Sequence, residues 1–171
     1  MSGTDQVLLW VEQTAFSTWM RESPSMLAFP TILSCHTVGM GLVAGINVIF
    51  GLRILGVAPL VSTGELKRFV PLMWFGFWLN AISGVALLLA YPTKAFTNPM
   101  FYLKLGLIAL AMVAFVAISR SLFPKTPLAR EATSGSKRVR LLAQVSIGAW
   151  AGAIIAGRLL AYTYTRLLAD F

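Results

Sequence analysis

The feature that most constrains this chain is a long uncharged run in its first third. Residues 25–52 are 28 consecutive positions without Lys, Arg, Asp or Glu, and the first full charge after them is Arg53. An α-helix rises about 1.5 Å per residue and the hydrocarbon core of a bilayer is about 30 Å thick, so this run can cross a membrane with some tilt. We therefore predict a transmembrane helix over about residues 25–54.

The composition of the whole chain agrees with a membrane protein. Of its 171 residues, 57% are hydrophobic and only 12% are charged, whereas charged residues make up about a quarter of soluble domains. The single cysteine, Cys35, excludes an internal disulfide framework and a cysteine-only metal cluster. The net charge of +8 does not indicate nucleic-acid binding, because the excess lies mainly in loops beside apolar segments and no nucleic-acid-binding module is present.

Three further apolar segments follow, over about residues 69–91, 99–122 and 141–164. Pro71 and Pro99 stand near the starts of two of them, and we expect each proline in a first helical turn, where a missing N–H costs nothing. The sequence thus predicts an all-α protein, a four-helix transmembrane bundle over residues 25–171. The pairs Gly41/Gly45 and Gly148/Gly152 have the small-xxx-small spacing that lets helices approach closely.

The segment before the first span is too polar to cross a bilayer. Within residues 1–24, apolar side chains recur at helical spacing over residues 5–21. We predict an N-terminal amphipathic helix lying in the membrane interface, with Trp10 and Trp19 at the level of the lipid headgroups. The alternative is a helix that docks on a partner subunit.

Basic residues are distributed unequally between the two sides of the predicted bundle. The basic residues on the loop side are Arg53, Lys67, Arg68, Arg120, Lys125, Arg130, Lys137, Arg138 and Arg140, and those on the opposite side are Arg21, Lys94 and Arg166. Because cytoplasmic loops are enriched in Lys and Arg, this asymmetry predicts a multi-pass protein with its loops in the cytoplasm and both termini outside.

Three basic side chains lie inside the predicted spans, away from the loop-side ends: His36, Lys104 and Arg158. All six acidic residues lie outside the spans, namely Asp5, Glu12, Glu22, Glu65, Glu131 and Asp170. By their distance from the helix ends, the three side chains all belong to the outer half of the bilayer. Lys104 and Arg158 are close enough to an end to extend to the headgroups, and His36 can be a hydrogen-bonded packing residue. The sharper hypothesis is that the three converge on one anionic ligand.

A ligand with two carboxylates and an axial position for imidazole is haem b. In this hypothesis His36 ligates the iron, while Lys104 and Arg158 pair with the propionates. Met112 is the candidate for a second axial ligand, with five-coordinate iron or a ligand from a neighbouring subunit as alternatives. The residues expected to line the haem are Met40, Val43, Asn47, Trp74, Phe77, Trp78 and Asn80.

Three stretches carry a resemblance to known proteins: HTVGMGLVAGINVIFGLRILG, RFVPLMWFGFWLNAISGVALLL and NPMFYLKLGLIALA. They resemble a set of small, uncharacterised bacterial inner-membrane proteins and, more distantly, the superfamily of the copper-resistance D protein and the membrane-bound protoporphyrinogen oxidase. The resemblance implies a bacterial inner-membrane location and haem b binding. It also implies functional roles for a histidine, an arginine and a lysine that match His36, Arg53 and Lys104.

Three functions remain as alternatives. The first is a haem b protein, a small cytochrome-like redox or anchor subunit that passes electrons to a quinone or to a periplasmic partner. The second is a cofactor-free structural subunit of a larger membrane complex or a homo-oligomer, whose outer cations bind lipid phosphate. The third is an enzyme that oxidises a porphyrin precursor.

Overall fold

The structure, a computed structural model, describes residues 3–123 and 137–167. Within them the chain forms seven helices and no strand. The helices are α1 (Gly3–Glu12), α2 (Ala15–Glu22), α3 (Phe29–Leu55), α4 (Thr63–Ala90), α5 (Pro92–Phe96), α6 (Pro99–Leu122) and α7 (Lys137–Leu167). Four of them, α3, α4, α6 and α7, are long and apolar enough to cross a membrane. The predicted all-α four-helix architecture is confirmed, and most of the predicted loop between the third and fourth spans, residues 124–136, lies outside the described residues.

The second span begins six residues earlier than the hydropathy pattern predicts. Its start is set by a capping box, in which the Ser62 hydroxyl accepts from the Glu65 N–H at 3.2 Å and the Glu65 carboxylate accepts from the Ser62 N–H at 2.8 Å. As a result Pro71 lies inside α4, and its predicted place in the first turn is wrong. The polar turn that carries Glu65 extends the helix without adding to its hydropathy.

The four long helices pack as two antiparallel pairs joined along one seam. Helix α4 packs along α3, α6 packs along α7, and α3 also contacts α7. Helices α3 and α4 are in backbone contact at Gly39. A Cβ added there would lie 2.6 Å from the backbone nitrogen of Asn80. Gly152 of α7 likewise faces Leu107 of α6. Gly41 and Gly45 face no other atom within 4 Å, so the first predicted packing pair lies on an exposed surface.

The two ends of the bundle are packed differently. We call the half with the end of α3 and the start of α4 the Phe50 half, and the opposite half the His36 half. The Phe50 half holds most of the buried apolar cluster, in which Phe50 meets Phe115 edge to face with ring centroids 5.3 Å apart. In the His36 half, Gly39 is the one buried residue of α3 positions 29–42, and no residue of α6 positions 99–110 is buried. The His36 half, where the packing is looser, also contains the half-buried side chains of His36 and Lys104.

The N-terminal segment forms two helices instead of the predicted one. Thr14 separates them and caps α2 by accepting from the Ser17 N–H at 3.4 Å. Helix α2 docks on the end of α4: the Ser17 hydroxyl donates to the Leu89 carbonyl, and Arg21 donates to the Ala90 carbonyl at 3.0 Å. These bonds satisfy carbonyls that the last turn of a helix leaves without partners. Trp10 and Trp19 stay exposed, at 70% and 43%.

Candidate functional site

The His36 ring is held in one orientation by α4. Its Nδ1 lies 3.0 Å from the backbone carbonyl oxygen of Asn80 and 3.3 Å from the Ser83 hydroxyl oxygen. The Asn80 side-chain amide returns a hydrogen bond to the His36 carbonyl at 2.8 Å. Because a carbonyl can only accept, we assign the ring proton to Nδ1. The lone pair is then on Nε2, the ring nitrogen that does not face the Asn80 carbonyl.

Lys104 of α6 meets that lone pair. Its Nζ lies 3.4 Å from Nε2 of His36, and both residues are half-buried. Lys104 also runs beside Gly157 of α7, since a Cβ added there would lie 3.7 Å from three atoms of the lysine side chain. All four spanning helices therefore contribute to this site, whose members are His36 (α3), Asn80, Ser83 and Gly84 (α4), Lys104 (α6) and Gly157 (α7).

A glycine lies beside each member of the His36–Lys104 pair, and the space for an added Cβ differs between the two glycines. A Cβ at Gly84 would lie 3.2 Å from Cε1 and 3.4 Å from Nδ1 of His36, which is tight enough to displace the ring. A Cβ at Gly157 would make ordinary van der Waals contact with Lys104. The imidazole thus rests directly on the α4 backbone, and the lysine has more room.

The carboxylates whose contacts are described do not neutralise Lys104. Glu65 is engaged in the cap of α4, and the Glu12 carboxylate accepts from the Thr93 hydroxyl at 3.1 Å. The imidazole nitrogen that Lys104 contacts is a neutral acceptor. Within the described residues the Lys104 ammonium contacts this neutral nitrogen and no carboxylate, and such a group inside the bundle favours an added anionic or carbonyl oxygen.

Arg158, Met112 and Arg53, three other predicted site residues, have no described contact with this pair. Arg158, next to Gly157 on α7, is exposed. Met112 packs against the apolar cluster of the Phe50 half. Arg53 stands in the last turn of α3, about 25 Å along the helix from His36 at 1.5 Å per residue. Its Nε is buried and has no hydrogen-bond partner among the described residues.

Of the residues expected to line a haem, Asn80 contacts His36 directly, whereas Trp74 and Trp78 are 38% and 60% exposed and Asn47 is buried farther along α3. Sequence reasoning missed Ser83 and Gly84. They follow Asn80 by three and four residues, which is one helical turn, so the position of Asn80 was the available signal.

The chemistry open to this site is that of one oriented imidazole and one ammonium. Among the described residues, no three His, Cys, Asp or Glu side chains come together as metal ligands. The site can offer a lone pair to a metal held by another group, or hydrogen-bond donors to an acidic ligand. Comparisons of this chain with models of protein families, with curated proteins and with solved structures found no match.

Proposed function

We propose that this chain is a haem b-binding integral membrane protein in which His36 is an axial ligand of the iron. The observation that carries the proposal is the orientation of the imidazole, whose Nδ1–H donates to the Asn80 carbonyl and leaves the Nε2 lone pair inside the bundle. Ligating histidines commonly use their second nitrogen in this way, because the bond fixes the ring and raises its basicity. When bound, haem would supply one-electron transfer.

The residues of the site fit one axial position and one propionate of a haem. Lys104 and an iron would compete for the same lone pair, so Lys104 has to swing away from His36 when haem binds. Its side chain is long and only half-buried, it lies beside a glycine that has no side chain to hold it in place, and its ammonium then suits a propionate. Arg158 can join it only from the exposed face of α7, and Met112 only by leaving the apolar cluster.

The proposed setting is the bacterial inner membrane, with both termini outside. The distribution of the described basic residues supports this orientation, because cytoplasmic loops are enriched in Lys and Arg. Seven of them lie at the end of the Phe50 half and two at the end of the His36 half. The seven are Arg53, Lys67, Arg68, Arg120, Lys137, Arg138 and Arg140, and the two are Arg21 and Lys94. In this orientation the site lies in the outer half of the bilayer. Its proposed electron partners are a membrane quinone or a periplasmic protein.

The test is the absorbance spectrum of the purified protein from cells supplied with haem. We expect a Soret band, its loss or shift in His36→Ala, and its retention in Thr37→Ala, which changes the exposed neighbour on the same helix. We expect Lys104→Gln to weaken haem retention while leaving a band. Folded wild-type protein without a Soret band after haem titration would overturn the proposal.

A second candidate is a cofactor-free structural subunit of a larger membrane complex, in which Lys104 and Arg158 bind lipid phosphate. One observation favours it: Nε2 of His36 already has Lys104 as its partner, so the pair connects α6 to α3 without any ligand. In that case the protein is colourless, and Lys104→Met lowers the thermal midpoint of unfolding measured in detergent. A coloured wild type whose midpoint is unchanged by Lys104→Met would exclude this candidate.

A further inference from the structure

A second polar cluster lies deeper in the bundle, where α3 faces α7. Asn47, Ser146 and Trp150 are 2%, 1% and 3% exposed. The Asn47 amide donates to the Val43 carbonyl at 2.8 Å, and the Ser146 hydroxyl donates to Asn47 Oδ1 at 3.5 Å. Nε1 of Trp150 is buried and has no acceptor among the described residues. An indole N–H can only donate, so its partner must be an acceptor.

Helical spacing puts the Trp150 indole on the side of α7 that carries Ser146. Trp150 follows Ser146 by four residues and shares its face of α7. Helical side chains lean toward the N-terminus of their helix, so the indole of Trp150 extends over the turn that carries Ser146. Acceptor capacity is left over there, because Asn47 Oδ1 has two lone pairs and the Ser146 oxygen accepts none of the hydrogen bonds described.

We propose that a buried water molecule is bound between Trp150, Asn47 and Ser146. Buried waters in proteins typically make about three hydrogen bonds to polar groups that otherwise lack partners, and this cluster provides one donor and two acceptors. The surrounding residues belong to the close-packed apolar cluster, among them Val43, Ala149 and Trp150 itself, so the occupant is small.

This site is separate from the His36 site and does not depend on the proposed function. Asn47 and His36 are eleven residues apart on α3, about 16 Å at the helical rise. They lie on the same face of α3, and Trp150 and Gly157 share a face of α7. A water joining α3 to α7 therefore helps to set the register of the two helices that carry His36 and Gly157.

The experiment is NMR of the full chain labelled with ¹⁵N at its five tryptophans, in lipid nanodiscs. Trp150→Phe assigns the signal, and Trp78, which is 60% exposed on α4, is the matched control. We expect a cross-peak between water and the Trp150 indole N–H, its loss in Asn47→Leu, and an unchanged Trp78 signal. Ser146→Ala is the milder variant, and it is expected to weaken the cross-peak if Asn47→Leu does not fold.

Two results would overturn the proposal. The first is an indole N–H of Trp150 with no water cross-peak in the wild type, whether it is free or bonded directly to Asn47. The second is a water cross-peak that keeps its full intensity in Asn47→Leu, or in Ser146→Ala should Asn47→Leu not fold.

Discussion

The Phe50 half and the His36 half of this bundle are built from the same four helices but are held together by different interactions. In the Phe50 half, large apolar side chains interdigitate, and Phe50 packs against both Phe115 and Phe123. In the His36 half, α3 and α4 meet through glycine, and α3 and α6 meet through the His36–Lys104 contact. The comparison indicates that the Phe50 half provides most of the stability. The His36 half is less closely packed and contains the polar site.

The largest expected effect on the free energy of unfolding comes from removing the Phe50 ring, which packs against Phe115 and Phe123. Phe50→Ala removes a side chain that is 1% exposed, and we expect it to lower the free energy of unfolding by about 3–5 kcal/mol. Chemical denaturation in detergent measures this. The control is Phe75→Ala on α4, where the ring is 60% exposed. Equal losses for the two variants would contradict a core concentrated in the Phe50 half.

The next effect tests the glycine contact of the His36 half. In Gly39→Ala the new Cβ would lie 2.6 Å from the Asn80 nitrogen, so the α3 and α4 backbones must separate, at a cost of about 1–3 kcal/mol. Gly41→Ala and Gly45→Ala meet nothing within 4 Å and should leave the same unfolding midpoint unchanged or slightly raised. If Gly39→Ala behaves like these two controls, the helices are not in backbone contact.

A smaller effect is expected where α2 caps α4. Arg21→Ala removes hydrogen bonds to the carbonyls of Ala90 and Glu12, and we expect a loss of about 1–2 kcal/mol that is confined to the docking of the N-terminal helices. Hydrogen–deuterium exchange over α1 and α2 measures it, and Glu22→Ala, at an exposed position, is the control. Faster exchange throughout the bundle would show that the effect is not local.

The smallest effect is a displacement within the site. Gly84→Ala should push the His36 ring by a few tenths of an ångström, at a cost of about 0.5–1.5 kcal/mol, whereas Gly157→Ala should leave it in place. Because His36 is the only histidine, its ring ¹⁵N shifts can be read without ambiguity in uniformly labelled protein. Identical shifts in Gly84→Ala and the wild type would mean that the ring does not rest on α4.

That His36 lies within a membrane-spanning segment was predictable from the sequence, but only some of the residues around it were. Asn80 was expected to line a haem and Lys104 to pair with a propionate, and in the structure both contact His36. Arg158 was proposed for its charge and its depth, and Met112 for its depth. Depth follows from residue count, but each residue also turns by about 100° around the helix axis, and that rotation leaves Arg158 exposed and Met112 in the apolar cluster.

The amino-acid sequence by itself determined that this chain is a bundle of four membrane-spanning helices, because the length and hydropathy of a segment decide whether it can cross hydrocarbon. The first residues of α4 and α7 were harder to predict from the sequence, because polar first turns carry no hydropathy signal. Only the tertiary structure decided which face of each helix points inward. That choice depends on close contacts such as Gly39 with Asn80 and Gly152 with Leu107, which join residues far apart in the chain.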